Sequence, residues 1–229
     1  TDWPRPRLAA TASELADVRR LLDAQRIPWG GFFVACLGMS DRVAGRSWPV
    51  ERWMAVLRHA SRAHAWRFVL VGTPDERQSL ERIAADLGHD IARLIDDCHD
   101  PGTIVGLLAC ASGYVGRDSG PMHVAAALDK PVLCVTGGGT WPRFVPLAPG
   151  GAIFSLRVPC AGCGWFCHLD ESYCVTHVPV EPVITAVDEL AADATPDVAV
   201  RPLPRHEDLG LRMERAAAVA GRGQLWTLQ

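Results

Sequence analysis

The sequence predicts an α/β fold, a Rossmann-like doubly wound parallel sheet, and three observations predict it. Short, wholly apolar runs recur between residues 32 and 156, as in strands buried on both faces. The stretches between them carry apolar residues at helical spacing. Strand and helix alternate five times over short connections, the signature of parallel βαβ units with right-handed crossovers.

Taken in order, residues 1–8 hold two prolines and three charges and read as a linker. Residues 12–22 place Leu15, Val18, Leu21 and Leu22 at helical spacing, with Ser13 as the expected N-cap. Pro28-Trp29-Gly30-Gly31 ends that helix. Residues 32–37 are the first strand. A helix is expected at 49–64, with Trp53, Val56, Leu57 and Ala60 on one face and Pro49 near its first turn. Residues 67–71 are the second strand and 74–87 the second crossover helix, burying Leu80, Ile83, Ala84 and Leu87. Then follow a weaker strand at 91–95, a helix at 102–110, a strand at 113–116, a helix at 120–128 and strands at 131–135 and 152–156. Residues 181–190 read as a helix on the main domain, 191–204 as an Ala- and Pro-rich linker, and 206–220 as a last helix. The expected organisation is a linker and N-terminal helix at 1–30, a Rossmann-like domain at 31–195 and a linker with C-terminal helix at 196–229.

Composition narrows the function classes. The chain has 229 residues, 48% hydrophobic and 21% charged, which excludes wholesale disorder. A formal charge of −3 argues against a general polyanion binder, so nucleic acid is not an expected partner. No apolar run reaches the ~20 residues of a membrane span. Residues 1–7 are polar and proline-broken and do not read as a signal peptide, so a cytoplasmic location is expected. Cys36, Cys98, Cys110 and Cys134 are scattered singly and read as small buried hydrophobes.

In doubly wound sheets, ligands bind at the C-terminal edge of the strands. There, Gly116-Arg117-Asp118-Ser119-Gly120-Pro121-Met122-His123 joins a buried strand to an Ala-rich helix. Asp118 and Ser119 are competent N-caps, and the first backbone N–H groups of the helix face any bound anion. Gly120 removes a side chain where a phosphate would approach. A capped helix start is the plainer reading of the same residues.

The run from Asp118 to Leu128, followed by Pro131-Val132, resembles the signature of glycosyltransferase family 9, the heptosyltransferases. Arg46-Ser47-Trp48-Pro49 resembles the family's Lys-x-Trp-Pro, and Val69-Leu70-Val71-Gly72 with Glu76 its second strand and following acid. The resemblance covers residues 32–190. It implies the C-terminal, nucleotide-sugar-binding half of a glycosyltransferase-B fold and an ADP-heptose-like donor. It also implies a transferase of lipopolysaccharide-type glycan synthesis, with a glycan or protein acceptor. The family's N-terminal acceptor domain, which carries its usual catalytic Asp, has no counterpart in these residues; a separate domain or partner chain is the expected source. The implied donor residues are Ser40, Arg46, Glu76, Asp118, Ser119, Gly120, Met122 and His123. Arg46 keeps the charge of the family's Lys but offers a planar fork instead of a point donor.

Four further cysteines, Cys160, Cys163, Cys167 and Cys174, fall within fifteen residues. Four soft ligands in one loop suit a closed tetrahedral site, structural rather than catalytic, with zinc expected ahead of iron. His168 and His177 are alternative ligands; two disulfides or four free thiols are the competing states. Two other functions compete with sugar transfer: another nucleotide-sugar enzyme such as an epimerase, and a non-catalytic metal-containing module that holds a partner.

Overall fold

A computed structural model describes residues 5–38, 47–89, 91–95, 100–156, 158–192 and 199–203. Seven strands form one parallel sheet in the order β3-β2-β1-β4-β5-β6-β7. They are β1 (Phe33–Cys36), β2 (Phe68–Leu70), β3 (Ala92–Leu94), β4 (Gly113–Arg117), β5 (Val132–Thr136), β6 (Gly151–Leu156) and β7 (Ala199–Leu203). The order reverses between β1 and β4, which pair in register from Phe33 with Gly113 to Cys36 with Gly116. That reversal opens the crevice in which such sheets bind ligands.

The helices are α1 (Ala12–Ala24), α2 (Val50–His64), α3 (Arg77–Leu87), α4 (Pro101–Cys110), α5 (Gly120–Ala127), α6 (Tyr173–Thr176) and α7 (Glu181–Ala191). Alternate strand residues explain why the strands read as unbroken apolar runs. Phe33 and Ala35 enter the core beneath α2, α3 and α7, whereas Val34 and Cys36 enter the core beneath α1, α4 and α5. Both faces are covered, so the inner strand positions favour apolar residues.

The differences from expectation have local causes. The N-cap of α1 is Thr11, not Ser13: its hydroxyl accepts from the Glu14 N–H, and the Glu14 carboxylate accepts from the Thr11 N–H at 2.6 Å. This reciprocal box satisfies two orphan donors, which Ser13 inside the helix could not do. The helix expected from Pro74 begins as a 3-10 turn, Pro74–Glu76, before α3. Three elements were not expected: a 3-10 turn at Gly138–Thr140, the single turn α6 in the Cys-rich segment, and β7 within the stretch read as a linker. The expected helix at 206–220 lies outside the described residues. Among those described, no helix is long and apolar enough to cross a membrane.

Trp48 and Pro49 fix the start of α2. Trp48 is 1% exposed and packs edge-on to Trp53, with ring centroids 4.8 Å apart. Its indole N–H donates to the Val178 carbonyl at 2.9 Å, tying α2 to the segment that follows the four cysteines.

Candidate functional site

The C-terminal edge of the sheet gathers Gly38 after β1, Thr73 after β2, residues 118–120 after β4 and residues 136–140 after β5. At the switch point the Arg117 side chain lies directly over Gly38, whose φ of +70° suits glycine and whose missing Cβ makes room for the guanidinium stem. Ser47 Oγ donates to the Gly38 carbonyl, drawing the chain on either side of residues 39–46 together. Ser40 and Arg46 lie outside the described residues.

The start of α5 differs from a capped helix. Ser119 occupies the N-cap position, but its side chain makes no capping bond. Its Oγ pairs instead with the hydroxyl of buried Tyr114 at 2.9 Å, and that hydroxyl donates to the Arg117 carbonyl at 2.8 Å. Burial holds the Tyr114 phenol well above its ordinary pKa, so it stays protonated and fixes the turn. Ser119 Oγ is therefore not spent on the first α5 amides, although the Ser119 carbonyl accepts from the Met122 N–H at 3.1 Å. A Cβ built on Gly120 would meet nothing within 4 Å, so this helix end is open to an anion.

Asp118 stands beside that opening. Thr140 Oγ1 lies 3.4 Å from Asp118 Oδ2, and His123 Nε2 lies 3.8 Å from Oδ1. His123 is half-exposed, with Phe144 edge-on to its ring. Met122 is fully buried and lines, with Asp118, Thr136, Thr140 and Trp141, a small cleft between α5 and the segment that follows β5. Burial pushes the Cys134 thiol up at the floor of this cleft, and the Asp118 charge adds to the effect. Glu76 sits apart from this group. It is 3% exposed, and its Oε2 accepts from the Thr73 N–H at 2.7 Å and from the Thr73 hydroxyl at 3.0 Å. One of its oxygens thus caps the turn after β2. The structure brings Asp118, Ser119, Gly120, Met122 and His123 together, and adds two residues to which the sequence reading gave no role: Arg117 and Thr140. Arg117 had a legible signal, a cation immediately before the acid at a strand end.

The Cys-rich loop packs against the same edge. The Gly162 and Gly164 N–H groups donate to the Gly138 and Gly139 carbonyls at 2.7 and 2.8 Å. The Trp165 ring covers Gly137 and Gly139. Cys160, Cys163, Cys167 and Cys174 are all unpaired thiols. Burial, helped by the neighbouring sulfurs, pushes Cys160 up to about 11. Burial also pushes Cys174 up to about 11, against an opposing hydrogen bond from the Gly138 backbone. The donor set fits a soft cation, and the sulfurs lie within electrostatic reach of one another. They are not drawn into a cage: among the described residues, the group whose ligand atoms lie within 4.8 Å of one another is His59, His64 and Asp188, on the opposite edge of the sheet.

Comparison with known proteins gives the family. A model of glycosyltransferase family 9 (heptosyltransferase) matches residues 7–164. Among solved structures, E. coli ADP-heptose LPS heptosyltransferase II is 20% identical with a TM-score of 0.63, covering 83% of this chain and 56% of its own. A family 9 glycosyltransferase from Veillonella parvula is 14% identical with a TM-score of 0.58, covering 82% and 54%. A dodecameric iron-containing heptosyltransferase, TibC, solved with ADP-D-β-D-heptose, is 17% identical with a TM-score of 0.50, covering 70% and 46%. These likenesses establish the fold. The chain spans about half the length of each of these proteins. No curated protein matches it.

Proposed function

This chain belongs to glycosyltransferase family 9, and from that premise we propose that it is the donor-binding half of a heptosyltransferase-like enzyme. The observation that carries the reading is the open N-terminus of α5, flanked by Arg117 and by Asp118 with His123. A nucleotide-sugar donor presents a diphosphate. In transfer, the bond from the sugar's anomeric carbon to the diphosphate oxygen breaks, and that oxygen gains negative charge. The N-terminal end of the α5 dipole, with the Gly120 N–H at its tip, and the Arg117 guanidinium supply positive charge where it develops. Arg46 and Ser40 add a cation and a hydroxyl to the same phosphates. His123 serves as a phosphate contact, Asp118 accepts from a sugar hydroxyl, and Glu76 is the acid assigned to the ribose. Met122 and the β5 loop form an apolar wall.

The acceptor hydroxyl, on a glycan or a protein, attacks the anomeric carbon and must lose its proton to a base. In this reading the base comes from an N-terminal acceptor domain, in the same protein or in a partner chain. The E. coli and TibC relatives, named for ADP-heptose, favour an ADP-heptose-like donor, and the LPS in the E. coli name favours a glycan acceptor of the lipopolysaccharide type.

The cysteine loop is read as a structural site for one ion, zinc ahead of iron. Cys160, Cys163, Cys167 and Cys174 would hold it, and the ion would supply cross-linking of the loop. The loop's bonds to Gly138 and Gly139 support Thr140, which reaches Asp118, so stiffening the loop steadies the donor site.

Calorimetry with ADP-heptose, ADP and a UDP-sugar tests the reading. The native chain should bind ADP-heptose best, and Asp118→Ala should weaken binding roughly ten- to hundredfold, the loss of one charged hydrogen bond. Unchanged affinity in a folded variant removes Asp118 from the site. Preference for a UDP-sugar would move the chain toward an epimerase-like role.

A further inference from the structure

A second cluster of ligating side chains lies far from the donor edge. The helix α2 connects the parallel strands β1 and β2, and α7 connects β6 and β7. Each helix must run back across the sheet and end at the N-terminal edge of the strands. At that end, His59 and His64 of α2 both direct Nε2 at one oxygen, Oδ1 of Asp188 on α7, at 2.6 and 2.7 Å. Their ring centroids are 6.0 Å apart and 72° inclined. The side chains are 32%, 26% and 47% exposed, enough to admit an ion without breaching the core.

We propose that His59, His64 and Asp188 bind a zinc-class divalent cation that clasps α2 to α7. Two imidazoles and one carboxylate are the donors such a cation prefers, and three protein ligands leave a position open for water. The three ligand atoms already lie within 4.8 Å of one another. Metal–ligand bonds of about 2.0–2.2 Å place neighbouring ligand atoms ~3.3 Å apart, so each ring needs to retreat by only about half an ångström.

Without an ion, the arrangement is a pair of hydrogen bonds to one carboxylate oxygen, which requires both rings to carry Nε2–H. With an ion, both Nε2 lone pairs face it, and each ring keeps its proton on Nδ1. Without an ion, donation from the two histidines holds the Asp188 carboxyl below its ordinary range. Arg58 is engaged by Asp86 of α3 at 3.8 Å.

The test is a histidine-ring nitrogen NMR spectrum of the whole 229-residue chain, stripped of metal under reducing agent and titrated with zinc alone. The His59 and His64 ring signals, assigned with His59→Gln and His64→Gln, should move together and change tautomer. Asp188→Asn, which retains an acceptor for both rings, should raise the zinc concentration needed by roughly tenfold or more. Zinc that loads the cysteine loop while leaving both ring signals unmoved overturns the proposal. So does an identical titration in Asp188→Asn. The wild-type titration decides the matter even if a variant fails to fold.

Discussion

Replacing Gly139 with Ala tests whether the Cys-rich loop is seated on the β5 turn as described. A Cβ at position 139 would lie 2.6 Å from Trp165 Cε2 and 2.8 Å from Cγ, with Cδ2 closer still. Ordinary carbon contacts need roughly 3.5–4.0 Å, so the indole must withdraw by about an ångström. The indole is rigid, and Trp165 itself sits at φ +67°, so it has few ways to yield. Overpacking of this kind costs about 1–3 kcal/mol, which in a protein of this length lowers Tm by roughly 2–12 °C. The matched control is Gly120→Ala, where an added Cβ meets nothing within 4 Å and Tm should be unchanged. The assays are a thermal melt and peptide-resolved hydrogen exchange. In Gly139→Ala the amides of Gly162 and Gly164, now bonded to Gly138 and Gly139, should exchange faster, while β1 and β2 keep their protection. A Tm within about a degree of wild type, with unchanged exchange over 159–168, would refute the packing argument.

Three other outcomes are expected. Arg117→Gln should weaken ADP-heptose binding roughly tenfold with little change in Tm, because Gln keeps a stem over Gly38 and loses the cationic fork; calorimetry at two salt concentrations reads it. Cys163→Ser should lower metal content by elemental analysis. In wild type, loading should release protons and fall as pH falls, because Cys160 and Cys174 are pushed up to about 11 and must lose their protons to bind. Asp100→Ala should melt lower than wild type at neutral pH. The Thr103 N–H and hydroxyl hold the Asp100 carboxyl below its ordinary 3.8. Its contribution is therefore complete above about pH 5 and fades as pH falls through the depressed value, so the two melting curves should converge in acid.

The core of the sheet was legible because burial on both faces leaves no alternation to blur: Phe33 to Cys36 and Val132 to Val135 read as strands from their side chains alone. The N-cap of α1 was misplaced although its signal was present, since Thr11 and Glu14 have the spacing of a reciprocal cap. The single turn α6 is too short to show a period. In β7, Arg201 and Pro202 interrupt the apolar pattern that marks the inner strands. At the site, the Asp118 loop was legible as a contiguous motif. The roles of Ser119 and Glu76 were not, because each depends on a partner, Tyr114 or Thr73, that sequence alone does not bring within reach. His59, His64 and Asp188 were invisible for the same reason: the fold, not the spacing, joins positions 129 and 124 residues apart.

The two rims of the sheet, as the described residues give it, bear on how the molecule keeps company with its own copies. On one side, β3 has only three residues to offer another strand. On the other, β7 contains Pro202, which lacks the N–H that a ladder requires. A neighbour seeking to lengthen the sheet would find too short a template at the first rim and an interrupted one at the second. Concentrated solutions should therefore resist fibrillar stacking, and any higher assembly has better footing on helices and loops, where Phe166 stands 85% exposed.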